Sequence, residues 1–287
     1  GHIGPAQFLQ MRQSDQLSDE ARAGLDQLAA AATAEAESPA RLRKAIDQLD
    51  SDSVDDRLAA GRLLLGGGNP AIAELVAAAV SDRPPAPRDE ILKTMLSLGP
   101  GGIDALRQLA LYGTPAVRER ALASLARISR KLHVADLVAA LYARDATETE
   151  AAIARENLRR VEGGLPDLAS ALGILEIDLE DKRGAALLID NDDQTTTLWS
   201  VTADQTAVSY QATSLMFAAY RDVVDASARM RSIGGVDVQQ ASEILAADMA
   251  YRVMIDPDWG DPEQIAAVER AYGSGISSTA ILSAIEH

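Results

Sequence analysis

Between Thr114 and Tyr142 the chain reads TPAVRERALASLARISRKLHVADLVAALY, and this stretch narrows the available folds more than any other. Thr114 precedes Pro115: a side chain able to cap backbone amides, then a residue with no N–H to leave unsatisfied. Val117, Ala121, Leu125 and Ile128 recur on one helical face, with Arg118, Glu119 and Arg127 elsewhere. The polar run 129–131 turns the chain, and Val134, Leu137, Val138 and Leu141 make a second apolar stripe. Two short helices with one stripe each cannot bury both stripes alone. They need neighbours of the same kind.

Such neighbours are predicted on both sides. Upstream, 87–98 and 101–112 form a pair joined at Gly99-Pro100-Gly101-Gly102, with stripes at Ile91, Met95, Leu98 and at Ile103, Leu106, Leu109. Before it, 53–65 and 70–80 are joined by Gly66-Gly67-Gly68-Asn69. Downstream, 146–161 and 165–172 are joined by Gly163-Gly164. The starts near 53, 87, 114 and 146 are unequally spaced, so the repeat is degenerate. The segments 97–110 and 114–128 resemble the HEAT-like helical repeat family, including the short bacterial repeats of phycobilin-lyase-type proteins. Pro115, Val117, Arg118, Ala121 and Leu125 match its first-helix pattern P-x-V-R-x-x-A-x-x-A-L, whereas Arg57 and Arg88 only approximate the arginine position and the fourth pair lacks the proline. The resemblance spans about residues 53–175 and implies an α-solenoid of antiparallel helix pairs. It says little about chemistry, although the family includes tetrapyrrole-attaching proteins.

The expected architecture is mainly α: an N-terminal helical segment (1–37), HEAT-like pairs (38–183), a small antiparallel β-meander (184–211), and further helix pairs (212–287). Ser18 opens the first helix, with Asp19 and Glu20 in its first turn. Ser38-Pro39, Asn69-Pro70, Thr114-Pro115 and Asp261-Pro262 repeat one start signal, and 82–87 (DRPPAP) is a stiff linker. The meander is expected from 184–190, 195–201 and 206–211, short apolar or β-branched runs separated by turn residues, with its face on the last helix pair. Aromatics make up only 3% of the chain and alanine is abundant, which suits closely stacked short helices.

A net charge of −16 opposes binding to phosphate backbones and anionic lipid. The basic runs Arg41-Leu42-Arg43-Lys44 and 127–131 are short, lack interleaved aromatics and read as solvated helix faces. These 287 residues hold no cysteine, so they offer no disulfide, thiolate metal site or Cys nucleophile. No apolar run is long enough for a transmembrane helix, and no signal peptide is evident. Gly1-His2 reads as a truncation point and Glu286-His287 stops inside a helical pattern, so the native chain is expected to extend further. Its address is left open between cytoplasmic and exported.

Candidate sites do not accumulate. Asp190, Asp192 and Asp193 hint at calcium, but an EF-hand needs Gly and Glu where Thr195 and Val201 stand. Asp256, Asp258, Asp261 and Glu263 form a second acidic loop, with Asp261 already explained as a helix cap. Gly66-Gly67-Gly68 lacks the Lys-Ser/Thr ending of a phosphate loop and follows a helix. His133 stands apart from the terminal His2 and His287, without the partners a triad or zinc site requires. Glu148 with Glu150 reads as a solvated acidic face. Trp199 is expected to anchor the sheet to its core, and Trp259 is the better partner-contact candidate. No catalytic, metal or cofactor residue is assigned. The expected function is a non-enzymatic interaction or scaffold module for a protein or peptide with a basic or apolar patch. The alternatives are a phycobilin-lyase-like enzyme or ligand carrier, and a structural segment of a larger exported protein. A deep pocket lined by ionisable and aromatic groups would favour the enzyme, and a broad shallow groove the interaction module.

Overall fold

The computed structural model describes residues 18–128, 134–189 and 193–255. Ser18 accepts a hydrogen bond from the Ala21 amide and opens α1 (Asp19–Ala36), which buries Leu25. Pro39 starts α2 (Pro39–Gln48), and Leu42, Ala45 and Ile46 form its inward face. Ser53 caps α3 (Val54–Gly66). One residue, Gly67, separates α3 from α4 (Gly68–Ala79). Gly68 makes that corner at φ 54°, a region unfavourable for residues with a Cβ. A Cβ on Gly67 would also collide with Leu42 and Ala71. The sequence places this start at Pro70. The helix begins two residues earlier because its first turn needs no amide donor from proline.

After the 82–87 linker come α5 (Arg88–Ser97), α6 (Gly101–Tyr112), α7 (Pro115–Ile128) and α8 (Val134–Tyr142). The Thr147 hydroxyl and the Glu150 carboxylate cap one another's amides at the start of α9 (Glu148–Glu162), and Gly163 ends it at φ 74°. Asp167 caps α10 (Leu168–Leu187). Contacts run between alternate helices. α2, α4, α6, α8 and α10 lie successively against one another in one row, and α3, α5, α7 and α9 in a second row. Each stripe is thereby buried by the next pair, with Leu42, Leu75, Met95, Leu106 and Leu125 fully inside. A second core holds Leu122, Leu137, Leu158, Leu175, Leu179 and Met230, so α7 contributes to both.

The expected three-stranded meander is a two-stranded hairpin. β1 (Thr195–Val201) pairs antiparallel with β2 (Val208–Ser214), from Thr195 opposite Ser214 to Val201 opposite Val208. The run expected as the first strand is instead the end of α10, where Ala186 continues the buried stripe of Ala171, Leu175 and Leu179 at helical spacing. The sheet lies chiefly on α6, where Trp199 is 3% exposed against Gly101 and Ile72, and it also touches α4 and the helix that follows the sheet, the first of the last described pair. Asn69 donates to the Thr197 hydroxyl at 2.9 Å, and the Thr114 amide donates to the Gln205 carbonyl at 3.0 Å. Ser214 ends the hairpin and caps α11 (Leu215–Ile233), which crosses to α8 and α10, and α12 (Val238–Ile255) packs on α11.

Candidate interaction surface

The two rows of helices present different faces. The row containing α6, α8 and α10 is closed by α11 through buried charge. Residues 225–230 of α11 are all buried, including Asp225 and Arg229. The Arg229 guanidinium pairs with Asp136 of α8 at 3.3 Å and Asp178 of α10 at 3.0 Å, while Asp136 also accepts from Arg107 of α6 at 3.0 Å. Burial alone would lower the Arg229 guanidinium, but Asp136, Asp178 and Asp225 outweigh it and hold it above its ordinary value. Asp225 accepts from the Gln108 amide, from the Tyr112 hydroxyl at 2.8 Å and from Arg221 at 3.1 Å. Arg221 stacks over the Tyr112 ring at 5.3 Å and the Tyr251 ring at 5.6 Å. Burial, then the Asp225 charge, pushes the Tyr112 phenol far above its usual range, so it stays a donor. Every charge in this cluster is matched by another, an arrangement suited to seating a helix.

Between neighbouring pairs, Arg118 has a comparable part. It donates to Glu150 at 2.6 Å and to Asp145 at 3.1 Å, tying α7 to the start of α9. A cleft of about 60 Å³ beside it is lined by Asp136, Glu150, Arg229 and alanines of α8, on a scale of water rather than of an organic substrate.

Among the described residues the other row is open. Between α3 and α5 lies a shallow groove of about 430 Å³. Its α3 wall carries Val54, Leu58 and Leu65, which are 59%, 54% and 48% exposed, so about half of the burial free energy of each is unrealised. Gly61 lies between them, and a Cβ there would meet nothing within 4 Å. The α5 wall is polar, with Glu90, Lys93, Thr94 and Ser97, and Arg57 and Arg62 complete the rim.

The residues singled out from sequence are not brought together. Glu150 is 4% exposed and serves as cap and ion-pair partner, so its reading as part of a solvated face is corrected. Its hydrogen bonds to Arg118 and to the Thr147 amide offset the loss of water. The three glycines at 66–68 form a helix junction. Asp193 is exposed, while its companions Asp190 and Asp192 lie outside the described residues, as do His2, His133, His287, Trp259 and the acidic loop 256–263. Among the described residues no group of three or more His, Cys, Asp or Glu is arranged to hold a metal, and no helix is long and apolar enough to cross a membrane. Sequence reasoning missed the Asp136–Arg229 cluster because Asp225 and Arg229 at i, i+4 look like an ordinary surface pair. It also missed the groove, whose signal was present as Val54, Leu58, Gly61 and Leu65 on one face of α3.

The class of protein defined by these features is a mainly helical one in which a two-stranded sheet and a crossing helix close one face of a double row of helices. The chain matches no protein-family model, no curated protein and no solved structure.

Proposed function

We propose that this chain is a non-enzymatic interaction module: a HEAT-like α-solenoid that docks another protein through its open row. The observation that carries the reading is the groove between α3 and α5, with three apolar side chains about half exposed on one helix face. The alternation of packing partners along α2–α10 supports the solenoid, because each helix pair leans on the next rather than on one common centre. Arg118, at the arginine position of the repeat pattern, acts between pairs as a repeat architecture requires. The groove's breadth and lack of aromatic lining favour a protein surface over a chromophore.

The test is affinity capture from the native organism's lysate with three forms of the chain: unaltered, Leu58→Asp, and Ile177→Asp as an exposed apolar control on α10. The reading expects a protein that the unaltered and Ile177→Asp forms retain and Leu58→Asp loses. Equal capture by all three forms, or a pigment or other small molecule bound to the purified chain with no protein retained, would overturn it.

A further inference from the structure

The groove's own charge specifies its partner. We propose that the α3–α5 groove docks an acidic amphipathic helix of a partner protein, an assignment that rests on the interaction-module reading and names its ligand class. Val54, Leu58, Gly61 and Leu65 follow one another at i, i+4, i+7 and i+11, an apolar line roughly 16 Å long along α3. Three turns of a partner helix match that length, and helix-in-groove docking reads such spacing with anchors at i, i+3 or i+4 and i+7. Gly61 is the notch. A glycine inside a helix is less stable there than alanine, and among the described residues nothing lies within 4 Å of where its Cβ would be. Its absent side chain leaves room for a partner's ridge between Leu58 and Leu65.

The rim sets the sign. The chain as a whole carries 43 acidic and 27 basic residues. The groove reverses that balance, with Arg57, Arg62 and Lys93 against Glu90 alone. Arg62 makes no ion pair among the described residues, and the Lys93–Glu90 pair is long, at 3.9 Å, and exposed. Arg57 is held in place by the Ser51 carbonyl. Basic groups above an apolar line accept a helix whose apolar face points down and whose flanks carry Glu or Asp, and they orient it on approach. An anionic membrane would also meet apolar and basic groups, but its broad plane would press on the exposed Asp52, Asp55 and Asp56 outside the lining, whereas a helix seated in the groove meets only the lining groups, so the protein ligand is favoured.

The experiment uses two labelled helical peptides of equal length and identical apolar face, one flanked by Glu and one by Lys, titrated by fluorescence anisotropy with the whole chain. The Glu peptide is expected to bind at least about tenfold tighter than the Lys peptide at low salt, with the advantage shrinking as salt rises. Leu58→Asp abolishes binding. Arg62→Glu weakens the Glu peptide roughly tenfold and strengthens the Lys peptide, a swap that unfolding could not produce. Far-UV circular dichroism checks that both variants keep their helix content. Equal binding of the two peptides, no binding of either, or indifference to Arg62→Glu overturns the proposal. So does binding to phosphatidylserine vesicles through Leu58 and Arg62 with no affinity for the Glu peptide. If lysate capture still depends on Leu58 while the Glu peptide fails, the interaction module survives and the acidic helix does not.

Discussion

Replacing Arg229 by methionine removes the centre of the charge cluster while keeping most of its length. The side chain is 4% exposed and holds two carboxylates, Asp136 and Asp178. Breaking a buried pair by deleting one partner typically costs about 3–5 kcal/mol, because the remaining charge is stranded. Here the lower end applies: Asp136 keeps Arg107 at 3.0 Å, and Asp178 is 20% exposed and reaches water. The expected loss is therefore about 3 kcal/mol, read by urea denaturation followed by far-UV circular dichroism. Arg127→Met is the matched control. Its pair with Asp89 is 3.4 Å long and more than half exposed on both sides, so about 0.5 kcal/mol or less is expected. Adding Asp178→Leu to Arg229→Met removes one stranded carboxylate and should recover about 1 kcal/mol. Hydrogen exchange gives the local view, with α11 amides losing protection before those of α2–α5. If Arg229→Met costs no more than Arg127→Met, the cluster does not seat α11, and the account of the closed face is wrong.

Three further outcomes follow from named contacts. The Tyr112 phenol is raised in the folded state, so its contribution is fully present below the unfolded value and is lost as pH rises. Stability should decline above about pH 10, and Tyr112→Phe should make that alkaline slope shallower by up to about 1.4 kcal/mol per pH unit while costing about 2 kcal/mol at neutral pH. Gly61→Ala adds a methyl in open space and should stabilise by roughly 0.5–1 kcal/mol while weakening the Glu peptide, which separates folding from docking. Gly102→Ala drives a Cβ into the fully buried Met95 and should destabilise by about 1–3 kcal/mol, measured by thermal unfolding.

The helices were largely legible because their signals are local. Ser18 caps α1, Pro115 starts α7 and Gly163 stops α9. Trp199 was legible as an anchor because a large aromatic in a short alternating run has few other places to go. The run at 184–190 misled because Ala-Ala-Leu-Leu-Ile ahead of Asn-Asp suits a strand before a turn as well as a helix end. What decides it is Ala186 falling in register with Leu179 and Leu175, and those sit against α11, a helix nearly thirty residues on. The charge cluster draws on α6, α8, α10 and α11, so no window of sequence contains it. Net charge is likewise no guide to a local surface: the chain carries −16, whereas the groove rim, assembled from α3 and α5, is locally basic.

Trp199 holds the other half of the closed face. The indole fills the space above Gly101 and beside Ile72, Tyr210 packs across the strand at 5.3 Å, and the Asn69–Thr197 hydrogen bond lies alongside. Truncating a buried tryptophan to alanine costs about 3–5 kcal/mol, through lost burial and the cavity left behind. The hairpin is held by α6, α4 and α11, so Trp199→Ala should fall within that range and loosen β1 chiefly from α6. The uncovered strip around Ile72 and Gly101 then becomes a second apolar surface, one that the folded chain normally keeps for itself. Sedimentation should show concentration-dependent self-association of Trp199→Ala but not of Leu58→Asp, because the first variant opens an apolar face and the second closes one. A Trp199→Ala chain that loses less than about 1 kcal/mol and stays monomeric would mean that the hairpin rests on the row without closing it, and the inner face would then join the outer groove as a surface open to partners.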